Sequence, residues 1–306
     1  MQFNDDADLD TSQIEDARGS GGGGGGGGFG LGGGLALGGG GLGIIGLVLY
    51  LVLGHLGGGG GQGVSSGNSG GSDNSAISAE CKKGSQANAS QDCRVTAIVN
   101  SVQNYWTDQF ARSGKTYKQA PTKLFSGRTP TACGTGTSGM GPFYCPGDSK
   151  VYIDLSFFQE LQTKFGATDS PFVESYVLAH EYGHHVQNLL GTNKKVGTAT
   201  GANSGSVRLE LQADCYAGVW ANHASTTVDK SGKKLIDKIT QQDINNALDA
   251  ASRIGDDYIQ KNLGNGQVNQ SQFTHGSSAQ RQKWFTTGIQ TGDPARCDTF
   301  GATDLG

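Results

Sequence analysis

Between Gly19 and Gly41 the chain reads GSGGGGGGGGFGLGGGLALGGGG, a tract with almost nothing to bury. Glycine loses the most backbone freedom on folding and offers no side chain in return, so this tract cannot hold a regular fold. It divides the chain. Ahead of it, six acidic residues between Asp5 and Asp16 face the single Arg18, the pattern of a solvated tail, so residues 1–28 are expected to be disordered. Behind it, from about Glu80, aliphatic and aromatic residues recur at helix or strand spacing over roughly 220 residues, a normal size for one domain.

Residues 29–56 contain no Asp, Glu, Lys or Arg, and the run IIGLVLYLVL within them is strongly apolar. That length can span a bilayer. A single uncleaved anchor fits better than a signal peptide, because the leading region is acidic and no small-x-small site follows. His55 then sits at the membrane edge, residues 57–79 read as a Gly/Ser linker, and residues 80–306 as the folded domain. Neither flank is rich in Lys or Arg, so cysteine must set the orientation. All six cysteines follow the apolar segment and none forms a CxxC pair, which points to an oxidised domain outside the cytoplasm, held at the cell membrane. Nearness in sequence pairs Cys81 with Cys93 and Cys133 with Cys145, leaving Cys215 with Cys297. A net charge of −4 argues against nucleic acid as a partner. Nothing in the pattern indicates an oligomeric state.

Helical periodicity opens the domain, with Val95, Ile98, Val99, Val102, Tyr105, Trp106 and Phe110 on one face of a helix over about 92–112. Short β-prone runs follow, and PFYC, the turn PGDS and VYIDL read as a hairpin. A helix starts at Pro171 behind Ser170 and stops at Gly191. Three more are expected, in VRLELQADCYAGVWANHA, in TQQDINNALDAASRIGDDYIQKNLG as one helix, and in SAQRQKWFTTGIQ. The class is α+β: a small antiparallel sheet packed on a mainly helical bundle, preceded by one transmembrane helix.

Inside the helix that begins at Pro171 lies VLAHEYGHHVQNLL. His180 and His184 are one turn apart and project from one face, with Cβ atoms about 6 Å apart, so both imidazoles can reach one ion. Glu181 is displaced by about 100° around the axis, which suits a carboxylate that touches a metal-bound water without binding the metal. Two hydrogen-bonded core histidines are the bland alternative. A third ligand stands in RLELQADCYAG, where Glu210 and Asp214 are again one turn apart. Glu210 is assigned to the metal, and Asp214 to the ring N–H of a ligating histidine, His180. Apolar neighbours such as Leu209, Leu211, Val219 and Trp220 argue against a merely solvated acidic face. Ala213, Ala217 and Gly218 narrow this helix so that it can approach the first. His, His and Glu with one open position is a hydrolase geometry and not a closed structural zinc.

Other residues carry two readings each. His275, in a loop before the last helix, either stabilises a tetrahedral oxyanion or caps and packs, and Tyr152 or Tyr182 could do the first of these. Arg281 pairs with Asp256 or Asp257 more readily than with a substrate carboxylate. His185 reads as core and His223 as surface. The hairpin ending in VYIDL could offer an edge strand to an extended peptide.

Together VLAHEYGHHVQNLLG, RLELQADCYAGVWA, GPFYCPGDSKVYIDLSFF and FTHGSSAQRQKWFTTGIQTGDPARCDTF resemble the bacterial neutral zinc metallopeptidases, a gluzincin-like family of membrane-anchored proteins with a glycine-rich N-terminus. The resemblance covers about residues 18–300. It implies a zincin-like fold, Zn2+ held by His180, His184 and Glu210, Glu181 as general base, and a peptide or protein substrate. The rival readings are a zinc-stabilised envelope domain that binds a partner without catalysis, and a zinc amidase acting on cell-wall peptides. A purely structural site would have no need of Glu181.

Overall fold

The structure, a computed structural model, describes residues 1–19 and 72–306. Its elements follow the periodicities closely in the helical part. After the short helices α1 (Ser75–Glu80) and α2 (Gly84–Ala89), the first long apolar face becomes α3 (Gln91–Arg112), and α4 (Ser156–Thr163) leads into α5 (Pro171–Leu190) and α6 (Gly205–His223). Ile98, Val102, Phe172, Leu178, Val219 and Trp220 are almost fully buried and join these helices in one core. The segment 240–264, expected as one helix, is two: α7 (Gln241–Arg253) and α8 (Asp256–Asn262). The break falls at Gly255, where an added Cβ would lie 2.4 Å from the Ser278 backbone nitrogen. The last helix, α9 (Ser278–Thr291), crosses α6 through Gly218 and Gly288, each so close to the other helix's backbone that no side chain would fit.

The main correction concerns the first eighteen residues. Among the strands, β1 (Gln2–Phe3) pairs antiparallel with β8 (Ile236–Lys238), and β2 (Ile14–Asp16) pairs parallel with β3 (Thr122–Leu124). Phe3, Ala7 and Ile14 are buried, and the acidic residues are tied rather than solvated: Arg18 bridges Asp16 and Asp92, and Lys150 holds Glu15. The expected tail is part of the domain because Phe3, Ala7 and Ile14 are buried in it and its two short strands each add to a sheet formed by distant residues.

That sheet has the order β2-β3-β7-β6, with β6 (Phe143–Cys145) and β7 (Lys150–Ile153) forming the expected hairpin. It is mixed, not antiparallel, since β2, β3 and β7 run parallel to one another. A separate ribbon joins β4 (Arg128–Thr131) to β5 (Gly134–Thr137).

The anchor expected over residues 29–56, with His55, lies outside the described residues, and among those described no helix is long and apolar enough to cross a membrane. The two flanks of that segment meet. The Asp73 N–H donates to the Asp16 carbonyl at 2.9 Å, and Asn74 bonds both Asp16 and Ile14. Asp16 and Asp73, which flank it, are neighbours in the fold. Residues 73–79, expected as linker, belong to the domain for the same reason.

All three disulfides form as nearness in sequence suggests: Cys81–Cys93, Cys133–Cys145 and Cys215–Cys297. The third closes the largest loop, 82 residues, and ties α6 to the C-terminal segment. Replacing both of its cysteines by alanine should lower unfolding stability by about 4 kcal/mol, against about 3 kcal/mol for Cys133 and Cys145. Denaturant midpoints of the two variants measure the difference.

Candidate metal centre

Ser170 caps α5 by accepting from the Phe172 N–H, Pro171 occupies the first position, and Gly191 ends the helix in the left-handed region. His180, Glu181 and His184 thus share one unbroken helix of 20 residues. Gly183, on the same helix, meets Ala213 of α6 so closely that a Cβ there would lie 3.0 Å from the Ala213 Cα. This contact brings Glu210 and Asp214 up to the histidines. Of the small residues expected to narrow α6 toward α5, Ala213 has that role, whereas Gly218 faces α9.

The ligand atoms of His180, His184 and Glu210 lie within 4.8 Å of one another. His180 Nε2 faces Glu210 Oε2 at 3.2 Å, and His184 Nε2 faces Oε1 at 3.3 Å. The opposite ring nitrogens are already committed. His180 Nδ1 donates to Asp214 Oδ1 and His184 Nδ1 to Gln187 Oε1, both at 2.8 Å. With each Nδ1 so engaged, each Nε2 is the ring atom aimed at the shared point, the atom that a metal there would bind in place of a proton. Glu210 Oε1 is buried and makes no hydrogen bond, the condition of a ligand oxygen. Burial disfavours charge here, yet His184 and His180 hold the Glu210 carboxyl well below its ordinary range. His180 answers in kind: against the cost of burial, Asp214 and Glu210 raise it to about 10, so the pocket draws positive charge. These residues fit a divalent cation, which would take the place of that proton.

Behind the histidines stands a buried network that spacing could only half foresee. Asp214, fully buried, accepts from His180, from the Tyr176 hydroxyl at 2.6 Å, and from Arg281 through Nε at 2.8 Å and Nη2 at 2.9 Å. Burial raises the Asp214 carboxyl, but Arg281 and His180 outweigh it and depress it to about 2. Arg281 therefore pairs with Asp214, not with Asp256 or Asp257 as its place in the chain suggested. Tyr176 and Gln187 were missed as well. Gln187 had a signal, three residues past His184 on the same helix face. Arg281 had none.

Asp256 is engaged elsewhere. Its Oδ2 accepts the backbone N–H groups of Thr274, His275 and Gly276, and its Oδ1 faces His275 Nδ1 at 3.2 Å. Against the cost of burial, this contact and the Glu210 charge raise the His275 imidazole above its ordinary range. Nε2 of His275 has no hydrogen-bond partner among the described residues, and the side chain lines the cleft. The two tyrosines offered for the same role are absent from that lining. Tyr152 donates to Asp148, and Tyr182 donates to the Ala120 carbonyl and contacts Thr122. His185 is fully buried between Tyr144 and the Lys118 carbonyl. His223 is half-buried, stacked on Tyr105 and bonded to Gly292, not a surface residue.

The cleft over this centre has a volume of about 510 Å3 and contains Glu181, whose carboxyl burial raises above the ordinary carboxylate range. Strand β6 contributes residues 143 and 144 to the cleft lining and is one edge of its sheet, β2 being the other, while VYIDL lies inside the sheet as β7. The edge offered to an extended peptide is thus the other strand of the hairpin.

An HExxH helix facing an ExxxD helix, with His, His and Glu converging beneath an open cleft, defines the gluzincin-like class. The chain belongs to the family described as putative neutral zinc metallopeptidase, whose model matches residues 2–300. It is 51% identical over 229 residues to the Mycobacterium tuberculosis protein Rv2575, covering 74% of this chain and 76% of that one. With the Escherichia coli protein YpfJ it shares 46% identity over 212 residues, 67% of this chain and 70% of the other. No solved structure matches.

Proposed function

We propose that the chain is a zinc-dependent peptidase that hydrolyses internal peptide bonds, with His180, His184 and Glu210 as zinc ligands and Glu181 as general base. The observation that carries this reading is the pair of imidazoles whose Nδ1–H groups are spent on Asp214 and Gln187, leaving both Nε2 atoms directed at Glu210. Zinc bound there would supply Lewis acidity toward a carbonyl oxygen and toward a water molecule. Glu181, one residue from His180 but not aimed with it, takes the proton from the attacking water and passes it to the leaving nitrogen. Burial raises its carboxyl above the ordinary carboxylate range, the direction that favours a group which must both accept and return a proton. His275, positioned by Asp256, donates from Nε2 to the developing oxyanion. An extended substrate would lie along β6.

The disulfides favour an oxidising compartment, and on this reading the domain works outside the cytoplasm at the cell membrane. Any engagement of residues 29–56 with lipid must leave Asp16 and Asp73 on the same side.

The test is Glu181→Gln in the full chain. Zinc content by elemental analysis should stay at about one per chain while cleavage of an unfolded protein falls by about 10^2 to 10^4. Zinc in both proteins and cleavage by neither would reduce the centre to a structural metal, and zinc in neither would remove it.

A further inference from the structure

We infer that Gln212 is a positioning residue for the metal ligand His184, acting through Gln187 from an anchor at the Cys297 carbonyl, beside the Cys215–Cys297 disulfide; the inference rests on the zinc-ligand reading above. Gln212 follows Glu210 by two residues, about 200° around the axis of α6, so helical spacing gives it no place at the metal. The tertiary structure gives it one.

A buried chain of hydrogen bonds runs inward from His184. Its Nδ1 meets Gln187 Oε1 at 2.8 Å. Gln187 Nε2 donates to the Leu209 carbonyl at 2.7 Å and to Gln212 Oε1 at 3.1 Å. Gln212 Nε2 donates in turn to the Cys297 carbonyl at 2.9 Å. A backbone carbonyl only accepts, so Cys297 fixes which way the Gln212 amide faces, and Leu209 does the same for Gln187. Turning either amide over would set oxygen against oxygen where both side chains are buried. Gln187 Oε1 therefore needs a donor, which makes Nδ1 of His184 the nitrogen that carries the proton and leaves Nε2 for the metal.

Leu209 alone sets the direction of the Gln187 amide, but a single bond lets that amide swing about it. Gln212 supplies the second fixed point and holds Gln187 Oε1 against the imidazole. Gln212 can do so only while the Cys297 carbonyl keeps its place. Cys297 is buried and joined to Cys215 on α6, the Thr299 N–H donates to its carbonyl at 2.9 Å, and Thr299 Oγ1 donates to the Arg208 carbonyl of α6 at 2.6 Å. His180 is held by a separate set, Asp214 with Arg281 behind it, so the two ligating histidines are positioned independently.

The experiment is a double-mutant cycle on the full chain, with zinc affinity read by competition against a chelator and circular dichroism confirming that each variant folds. Gln187→Met should weaken zinc binding by about 10- to 100-fold. Gln212→Met should weaken it by about 2- to 10-fold, and because Gln212 acts through Gln187 the double variant should bind no more weakly than Gln187→Met alone. Asp214→Asn combined with Gln212→Met should instead lose affinity by the product of the two single effects. Replacing Cys215 and Cys297 by alanine should weaken zinc by about 2- to 10-fold when Gln212 is present and not in Gln212→Met; if that pair does not fold, the Gln187 and Gln212 cycle decides alone. A second readout is the exchange of the imidazole Nδ1–H protons with water, which in Gln212→Met should quicken by about 2- to 10-fold at His184 and stay unchanged at His180. No loss of affinity in Gln212→Met, or losses that multiply in the Gln187 and Gln212 cycle, overturn the relay, and wild-type affinity in the folded alanine pair overturns its anchor. The ligand reading fails separately, if wild type binds no zinc or His184→Ala binds it as tightly as wild type. Exchange in the metal-free chain then decides the relay: a faster His184 ring proton in Gln212→Met retains it, and equal rates remove it.

Discussion

A chain that begins at residue 72 is expected not to fold, although it retains every residue of the metal centre. Removing residues 1–19 takes Phe3 and Ile14 out of the core, each at about 1% exposure, and losses of that kind cost about 2 to 5 kcal/mol apiece. It also strips the partners of buried polar groups. Gln13 accepts from Asn100 and Gln103, and Asn100 in turn bonds the backbone of Asp10 on both its side-chain atoms. Strand β3 would lose β2 and become an exposed edge. The sum is comparable to the whole stability of an ordinary domain, about 5 to 15 kcal/mol. Near-ultraviolet circular dichroism and a melting curve of the truncated chain should show no cooperative transition, and a synthetic peptide of residues 1–19 added in trans should restore one. A truncated chain that melts like the intact protein would show that these strands are ornament.

Asp214→Asn should be the most damaging isosteric change in the centre. Four donors converge on the two oxygens of Asp214, and two of them belong to Arg281, which is 3% exposed. An amide has one acceptor oxygen and presents N–H groups where donors already stand. The buried guanidinium would be left without its counter-charge, at a cost of about 3 to 5 kcal/mol. His180 would lose the carboxylate that fixes its ring, and zinc affinity should fall by about 10- to 100-fold. Chemical denaturation and zinc titration read the two effects separately. Adding Arg281→Met to Asp214→Asn should recover part of the stability, since removing both charges is less harmful than removing one, but should leave zinc binding weak. Full stability in the single variant would mean that the pair contributes nothing measurable.

How far each of these could be anticipated from sequence varies along the chain. His180, Glu181 and His184 sit on one helix, and the pairing of Glu210 with Asp214 on another depends only on a one-turn spacing, so local geometry sufficed to bring them forward. The caps at Ser170 and Gly191 were legible for the same reason: each is a contact within a few residues. The N-terminal strands read as tail because acidic residues dominate the composition there, while what decides the fold is the burial of a few apolar residues, Phe3, Ala7 and Ile14, spaced without a period. Their partner strands lie more than a hundred residues away, where no window on the sequence can see them.

The amino-acid sequence by itself determined the helix pair of the candidate metal centre and the family, and nearness along it suggested the disulfide pairing that the fold adopts. Only the tertiary structure decided that Arg281 serves Asp214, that Asp256 holds His275, that β6 and not β7 is an edge of its sheet, and that both flanks of the glycine-rich tract belong to one folded body. The physical reason is separation along the chain. Helical spacing and caps are set by neighbours within one or two turns, whereas a buried charge finds its counter-charge, and a strand its partner, only when packing brings distant segments together.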